Sequence, residues 1–328
     1  MHLPVATPLD NWGDSGSRSP GGTPPVVTPS LRGDAGGAPA NVLAAVARLG
    51  GRAGFIGKVG HDAFGAFLAS TLHYYGIDTT GLKESSEVLT TLAFVSLSAD
   101  GERSFTFNRN PGADTQLSLD DVDLRRLGQT RVFHFGSLSL THEPSRSTTL
   151  AAAKAAKEAG CTVTFDPNWR PPLWDSEEQA TSQMLQGIES AHIVKVSAEE
   201  LTLLTGAEDI EQGTMALIDK GPELILVTLG SEGCFYATQQ DMTGLVPSTG
   251  LVPSIPVHAV DTTGAGDAFV GGFLWKLTRG SKPSWQSWQR DELEDAIRFA
   301  NVVGALTASR RGTMSAMPSL EQVVSMLG

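Results

Sequence analysis

The sequence predicts an α/β fold: a doubly wound, mostly parallel sheet flanked by helices, with a small β lid. Three observations predict it. Short β-rich runs alternate repeatedly with helical stretches between Ala53 and Thr228, the rhythm of βα units that build a parallel sheet. Two further β-rich runs, Leu92 to Leu97 and Ser104 to Asn108, break that rhythm around Ala99-Asp100-Gly101-Glu102, and Asp-Gly between two such runs reads as an antiparallel hairpin. The length, 328 residues, is enough for one large α/β domain or two modest ones, either with a substantial core.

Taken in order, residues 1–35 stand apart. Pro4, Pro8, Pro20, Pro24, Pro25 and Pro29 interleave with Gly, Ser, Asp and Thr, and Trp12 is the only aromatic residue there. Such a stretch buries too little apolar surface to offset its ordering entropy, so it is expected to be a mostly disordered tail, with Val26-Val27 its only strand fragment. The folded domain is expected to span 36–328. Val42, Val46 and Leu49 recur at helical spacing up to a stop at Gly50-Gly51, which predicts a helix. A strand over Ala53 to Val59 and a helix from Ala63 to Tyr75, ended by Gly76, follow. The lid hairpin occupies about 89–109. Arg131 to Phe135 is the next strand and Ser145 to Ala159 an alanine-rich helix. Thr162 to Phe165, His192 to Val196 and Leu224 to Thr228 are further strands, and Ile255 to Val260 has a strand-like composition. Gly280 to Arg290, with Trp285 and Trp288, reads as a loop before a helix that starts near Asp291.

Charge and composition remove whole classes of function. Lys and Arg number 24 against 36 Asp and Glu, a net charge of −12. That is the wrong sign for a chain that binds phosphate backbones, so no nucleic-acid partner is expected. Cys161 and Cys234 lie far apart with no CxxC, which argues for a reducing cytoplasm over a disulfide framework. No apolar run approaches the roughly 18–20 residues of a membrane span, and the N-terminus lacks the order of a signal peptide. The seven histidines show no HxxxH spacing, so no protein-held transition metal is expected.

The most specific segment is Asp261-Thr262-Thr263-Gly264-Ala265-Gly266-Asp267-Ala268-Phe269-Val270-Gly271-Gly272-Phe273-Leu274. Glycines at a helix start let backbone N–H groups converge on an anion, and the helix dipole adds about half a positive charge there. Asp267 in that first turn is placed to take a proton from an attacking hydroxyl. The plainer reading is a tight turn with Asp267 as an ordinary N-terminal helix acid. GxGxxG fails because Phe269 stands at the third glycine, and no GxxxxGK[ST] exists, so neither a dinucleotide fingerprint nor a Walker lysine is present. A second glycine-rich helix start, Gly36-Gly37-Ala38-Pro39-Ala40-Asn41, permits close backbone approach, and Asn41 offers both a donor and an acceptor to a polyol. Alternatively it is a glycine turn with Asn41 on a helix surface.

These two segments, with Gly57-Lys58-Val59-Gly60-His61-Asp62-Ala63-Phe64-Gly65 between them, closely resemble the two signatures of the ribokinase-like (PfkB) carbohydrate kinases. The resemblance covers about residues 36–320. Asp166-Pro167-Asn168-Trp169-Arg170-Pro171-Pro172-Leu173-Trp174 resembles a segment of the fructokinase branch. The resemblance implies Asp267 as catalytic base and the amides of Gly264, Ala265, Gly266 and Asp267 as an anion hole, chemistry that works by positioning and charge stabilisation. It implies Gly36, Gly37, Asn41 and Arg109 on the sugar. It implies Asn168, Arg170, Lys195, Glu200, Thr228, Gly230, Gly233 and Asn301 on the nucleotide side, with Gly304 beside Asn301. Glu200 matches the glutamate of an Asn-x-x-Glu motif that organises Mg²⁺ indirectly, and Ser197 stands where that motif has asparagine. Asp261, Thr263 and Gly312 would hold a monovalent cation such as K⁺. Mg²⁺ would arrive with ATP. Each of these residues also has a structural reading: Arg109 a solvated strand residue, Arg170 an ion-pair partner, Glu200 an exposed helix charge.

Two departures stand out. Members of the family begin with a strand carrying Gly-Glu and, shortly after, a sugar-binding aspartate, followed by further lid strands. Residues 1–35 contain neither, so a central strand, half the lid and a charged sugar acceptor are expected to be missing. The lost charge-assisted hydrogen bond corresponds to roughly 1.5–3 kcal/mol, or ten- to a hundredfold in binding. The leading expectation is an ATP-dependent fructokinase. The alternatives are a kinase for another sugar, sugar acid or nucleoside, and a non-catalytic ribokinase-like binding or regulatory protein. The resemblance also implies homodimerisation through the lids.

Overall fold

Continuous apolar runs separated by amphipathic helices build the main sheet, as parallel strands covered on both faces require. The computed structural model describes residues 2–5, 33–97, 103–239, 248–279 and 285–328. In chain order the strands are β1 (His2–Val5), β2 (Gly54–Gly60), β3 (Asp78–Ser85), β4 (Leu92–Leu97), β5 (Arg103–Asn108), β6 (Val132–Gly136), β7 (Thr162–Asp166), β8 (Ile193–Ser197), β9 (Leu224–Thr228), β10 (Cys234–Thr238) and β11 (Thr249–Val252). The helices are α1 (Ala38–Arg48), α2 (Ala63–Tyr74), α3 (Leu124–Leu127), α4 (Ser145–Glu158), α5 (Glu177–Glu189), α6 (Ala198–Thr205), α7 (Ile210–Ile218), α8 (Ala265–Arg279), α9 (Arg290–Ala308) and α10 (Leu320–Leu327).

Six strands form one sheet in the order β11-β10-β9-β8-β7-β6, parallel from β6 to β9 and antiparallel at β10 and β11. Alternation along each strand sends side chains to opposite faces. Val194, Val196, Ile225 and Val227 pack against Ala152, Met184, Leu201 and Leu217 of α4 to α7. Ile193, Leu224, Leu226 and Tyr236 pack against Phe269, Phe273 and Ala300 of α8 and α9, with Val42 and Val46 of α1. Helices on both faces make the sheet doubly wound, as the sequence predicts. The register aligns Gly136 with Asp166 and Ser197 with Thr228, so the carboxyl ends of β6 to β9 form one edge, where open α/β sheets bind ligands.

β2 and β3 form a separate parallel pair. Among the described residues no strand bridges β2 to β6, and residues of both strands line the same cavity of about 1590 Å³. The strand expected to be missing from this chain therefore has no counterpart among the described residues. The lid hairpin is present: β4 and β5 pair antiparallel from Leu92↔Asn108 to Leu97↔Arg103. The Asp-Gly turn proposed for it lies outside the described residues. Asp62 ties the lid to the domain. Its carboxylate caps α2 by accepting from the Phe64 and Gly65 amides and also accepts from the backbone N–H and hydroxyl of Thr90, just ahead of β4.

Several expectations need correction. Residues 1–35 are not all tail: His2–Val5 pairs parallel with Ala93–Ser96 as a third lid strand. Backbone pairing to a free strand edge does not depend on side-chain burial, and burial is all that composition measures. Residues 33–35 also join the domain, since Ala35 is buried and its carbonyl accepts from the Thr313 hydroxyl at 3.1 Å. Val26-Val27 lies outside the described residues. The segment 253–259 is not a strand; Pro253 and Pro256 lack the N–H that a ladder needs. The helix expected near Asp291 does begin there, at Arg290, and Trp285 and Trp288 ahead of it are buried in the core beside Phe273, so they anchor the entry to α9.

Candidate active site

Two glycine-opened helices bring the site together. α1 starts from Gly37, whose φ of 116° is a conformation that favours glycine, and α8 follows Gly264 with φ 78°. The two helices cross tightly at Gly271, where a Cβ would stand 2.5 Å from Ala45 Cβ and 2.7 Å from the Val42 carbonyl oxygen. That approach lets Asn41, in the first turn of α1, reach Asp267, in the first turn of α8: Asn41 Nδ2 donates to Asp267 Oδ2 at 2.8 Å. Both side chains are buried. Asn41 Oδ1 is buried with no partner in the structure, and a buried acceptor without a donor is a costly arrangement that a ligand hydroxyl would relieve.

The other oxygen of Asp267 is held from the main sheet. Asn168 Nδ2 donates to Asp267 Oδ1 at 2.9 Å. Burial pushes the Asp267 carboxyl above its ordinary range, while the Asn41 hydrogen bond, the Lys195 and Arg170 charges and the Asn168 hydrogen bond draw it back. A buried carboxylate whose pKa is raised, set at a helix N-terminus beside a cavity, has the character of a general base.

Beneath it lies a buried charge cluster. Lys195 Nζ stands 3.3 and 3.2 Å from the two oxygens of Asp166 and would be 3.3 Å from a Cβ placed on Gly266, directly under the α8 turn. Burial, together with the neighbouring Glu200 and Asp267 carboxylates, pushes Asp166 up, against the pull of Lys195. Those carboxylates hold Lys195 protonated despite its burial. Glu200 is neither exposed nor free: Oε1 accepts from the Trp169 amide at 2.7 Å and Oε2 from the Ser197 amide at 2.8 Å. Ser197 caps α6 in return. The serine at this position thus completes a capping box, and Glu200 braces the 166–170 loop against α6.

Of the residues singled out from sequence, Gly36, Gly37, Asn41, Arg109, Asn168 and Asp267 line the large cavity, with Arg170, Thr263 and Gly264 beside them. Arg109 is not a solvated strand residue. It is buried, and its guanidinium donates to Asp114 Oδ2, the Thr141 hydroxyl at 2.8 Å and the Leu138 carbonyl at 2.8 Å. Arg170 donates to the Trp169 carbonyl at 2.8 Å. Asp261, Thr263 and Gly312 do converge: Asp261 accepts from the Thr263 amide at 2.9 Å and the Gly312 amide at 3.2 Å. Thr228, the last residue of β9, sits with Gly230 and Gly233 of the following turn, outside the cavity lining. Gly233 crosses so close to the Val252 carbonyl, 2.2 Å from a built Cβ, that no side chain fits. Asn301 is buried, its amide donating to the Val252 and Pro253 carbonyls at 2.9 and 3.2 Å. It ties α9 to the end of β11 and does not line the cavity. Two residues escaped the sequence reading. Asp114 and Thr141, which orient Arg109, carry no motif and come together only in three dimensions. Among the described residues no cluster of three or more His, Cys, Asp or Glu side chains suits a metal, and no helix is long and apolar enough to cross a membrane.

A doubly wound sheet with a β lid, and a buried aspartate at a glycine-rich helix start beside a cavity, defines a ribokinase-like phosphotransferase. Comparison with known proteins agrees. The pattern of the pfkB family carbohydrate kinases matches residues 17–320, and the chain belongs to that family. It is 45% identical over 293 residues to fructokinase-1 of Oryza sativa subsp. japonica, covering 89% of this chain and 88% of the relative. Among solved structures, fructokinase from Xylella fastidiosa with bound ATP superposes with a TM-score of 0.86 at 33% identity, covering 99% of this chain and 94% of that one. Fructokinase from Vibrio cholerae O395 in a fructose-, ADP- and calcium-bound form gives a TM-score of 0.80 at 39% identity, over 89% and 91%.

Proposed function

We propose that the chain is an ATP-dependent fructokinase, converting fructose and ATP to fructose 6-phosphate and ADP. The observation that carries the mechanism is the Asp267 carboxylate, buried at the N-terminus of α8 and held by a carboxamide on each oxygen. Asp267 takes the proton of the sugar hydroxyl, the freed oxygen attacks the γ-phosphorus in line, and the bond to the β-phosphate oxygen breaks to release ADP. The amides of Gly264, Gly266 and Asp267 would donate to the charge that develops on the transferred group, whereas the Ala265 amide, expected to join them, is already taken by the Thr262 carbonyl at 3.2 Å. Asn41 Oδ1 accepts a second sugar hydroxyl. Arg109, fixed by Asp114 and Thr141, presents the lid side of the pocket to the substrate. The fructokinase relatives described above support this choice of sugar and donor.

Mg²⁺ carried on the nucleotide phosphates would neutralise charge there. Arg170, in the cavity lining, supplies a cation on that side, whereas Lys195, expected there too, is paired with Asp166 beneath the site and does not line the cavity. Asp261 with Thr263 and Gly312 would hold K⁺. We place the protein in the reducing cytoplasm, consistent with two free, buried cysteines, and assign lid-to-lid contact to a homodimer.

The direct test is ADP release from Mg·ATP by the purified chain with fructose, glucose, ribose, 2-keto-3-deoxygluconate or no sugar. Fructose-dependent release is expected, and a folded chain inert toward every sugar would overturn the proposal. Arg109→Ala should raise the KM for fructose, lower turnover, or both. Unchanged steady-state kinetics would remove Arg109 from the site.

A further inference from the structure

Asn168 stands out among the described residues as the one non-glycine residue with positive φ, at 46°. Asparagine tolerates this region better than most residues, but the conformation still has a cost, and strain of this kind gathers at functional positions. The structure shows what holds it there. Asp166, at the end of β7, accepts from the Asn168 backbone amide at 3.1 Å while it pairs with Lys195 from β8. The next amide, Trp169, is fixed by Glu200. The preceding carbonyl, Pro167, accepts from the Ser137 amide at 3.3 Å. Three elements therefore lock the loop, and the locked backbone aims the carboxamide of Asn168 at Asp267 Oδ1, 99 residues away.

We infer that Asn168 is a positioning residue for the base: with Asn41 it forms a two-sided clamp that fixes the plane of the Asp267 carboxylate and stabilises its ionised form. The sequence resemblance put Asn168 on the nucleotide phosphates; the geometry puts its donor on the base. The clamp draws on two elements far apart in sequence, Asn41 coming from α1 and Asn168 from the loop after β7. The carboxylate therefore keeps one donor on each oxygen, leaving a remaining lone pair to accept the substrate proton. The charged groups that face Asp267 are Lys195 from β8, Arg170 from the loop, Asp166 from β7 and Glu200 from α6. All of them remain when the Asn168 side chain is changed.

The inference rests on the kinase reading for its rate effects and stands apart from it for its effect on Asp267 itself, so the test has two arms. Asn168→Gly keeps the left-handed backbone and removes the donor, whereas Asn168→Asp keeps the shape and presents a second carboxylate to Asp267. In the kinetic arm, Asn168→Gly should lower kcat roughly ten- to a hundredfold with KM values little changed, a loss typical of a misplaced reacting group. It should also move the acid limb of the rate profile upward by about one pH unit, because a hydrogen bond to the ionised form is gone. Asn168→Asp should lose more activity and shift the limb further, through like charge. The second arm needs no turnover: urea melts of wild type and Asn168→Gly from pH 4 to pH 8. The Asn168 bond favours ionised Asp267, so the stability gap between the two proteins should be small at pH 4 and widen as pH rises. A gap independent of pH would reduce Asn168 to a turn residue and overturn the inference, whether or not the wild type turns over fructose. If Asn168→Gly does not fold, Asn168→Asp decides by the same melts, since its gap should widen more steeply with pH.

Discussion

Asp267→Ala is expected to turn over fructose roughly 10²–10⁴-fold more slowly than wild type, the range that a positioned general base contributes, while remaining folded. The fold should tolerate the change because the lost group is a carboxylate forced into a buried cluster where three carboxylates share one lysine. No apolar cavity opens, and one buried negative charge disappears. The same residue sets the pH profile. Burial holds the Asp267 carboxyl above its ordinary range, and the base works only when ionised. kcat/KM for fructose at saturating Mg·ATP should therefore climb with pH through a limb lying above the ~3.9 of a free aspartate. In Asp267→Ala that limb should vanish along with the activity. Undiminished turnover in the variant would sink the assignment of the base.

Lys195→Met should be the most damaging single change to stability. Removing one partner of a buried pair typically destabilises by about 3–5 kcal/mol because the other charge is left uncompensated, and here three carboxylates would remain. Direction with pH follows from the raised carboxyls. In the wild type Asp166 is already pushed up to about 7 by burial and its acidic neighbours; without the ammonium it rises further. A carboxyl whose folded pKa exceeds its unfolded value contributes stability below the unfolded pKa, and that contribution is lost as pH rises through the folded one. Urea denaturation should thus show a modest deficit near pH 4–5 and a large one at pH 8. Equal deficits at both ends would mean that Lys195 acts by packing alone.

Much of this architecture was legible in the sequence because its signals are local. Val194, Val196, Ile225 and Val227 sit in short apolar runs with clear ends, and the hairpin strands at 92–97 and 103–108 matched their expected positions within a residue. The two glycine-rich helix starts were visible because glycine marks backbone that no other residue accommodates. β3 was missed for the opposite reason. Asp78–Ser85 reads DTTGLKES, with almost no apolar alternation, and is a strand because β2 offers it a backbone ladder. Within the site, Asp267 and Asn41 carry motifs, whereas the clamp from Asn168 and the bracing of Arg109 by Asp114 and Thr141 depend on which chain ends meet over β6 and β7. Asn301 shows how a residue matched to a motif can serve the scaffold: its amide is taken by two carbonyls at the end of β11.

Among the described residues β2 and β3 reach the six-stranded sheet through helices and side chains and not through a backbone ladder, and that difference bears on stability. Within the six-stranded sheet each strand is joined to the next by a continuous backbone ladder, so loss of one exposes its neighbours. β2, β3, α2 and the lid have no such ladder to that sheet among the described residues; their attachment runs through α1 and its tight crossing with α8 at Gly271, and through side-chain bonds from Arg109 to Thr141 and Leu138, from Lys58 to Asp121 and from Arg126 to Asp78. The sugar half can therefore open as its own cooperative unit, at lower free energy than the β8–β9 core. Because Arg109 follows the lid hairpin and bonds to Thr141 and Leu138 beyond β6, each such opening also draws Arg109 out of the site, and a sugar that bridges the two parts stabilises the whole chain as it binds.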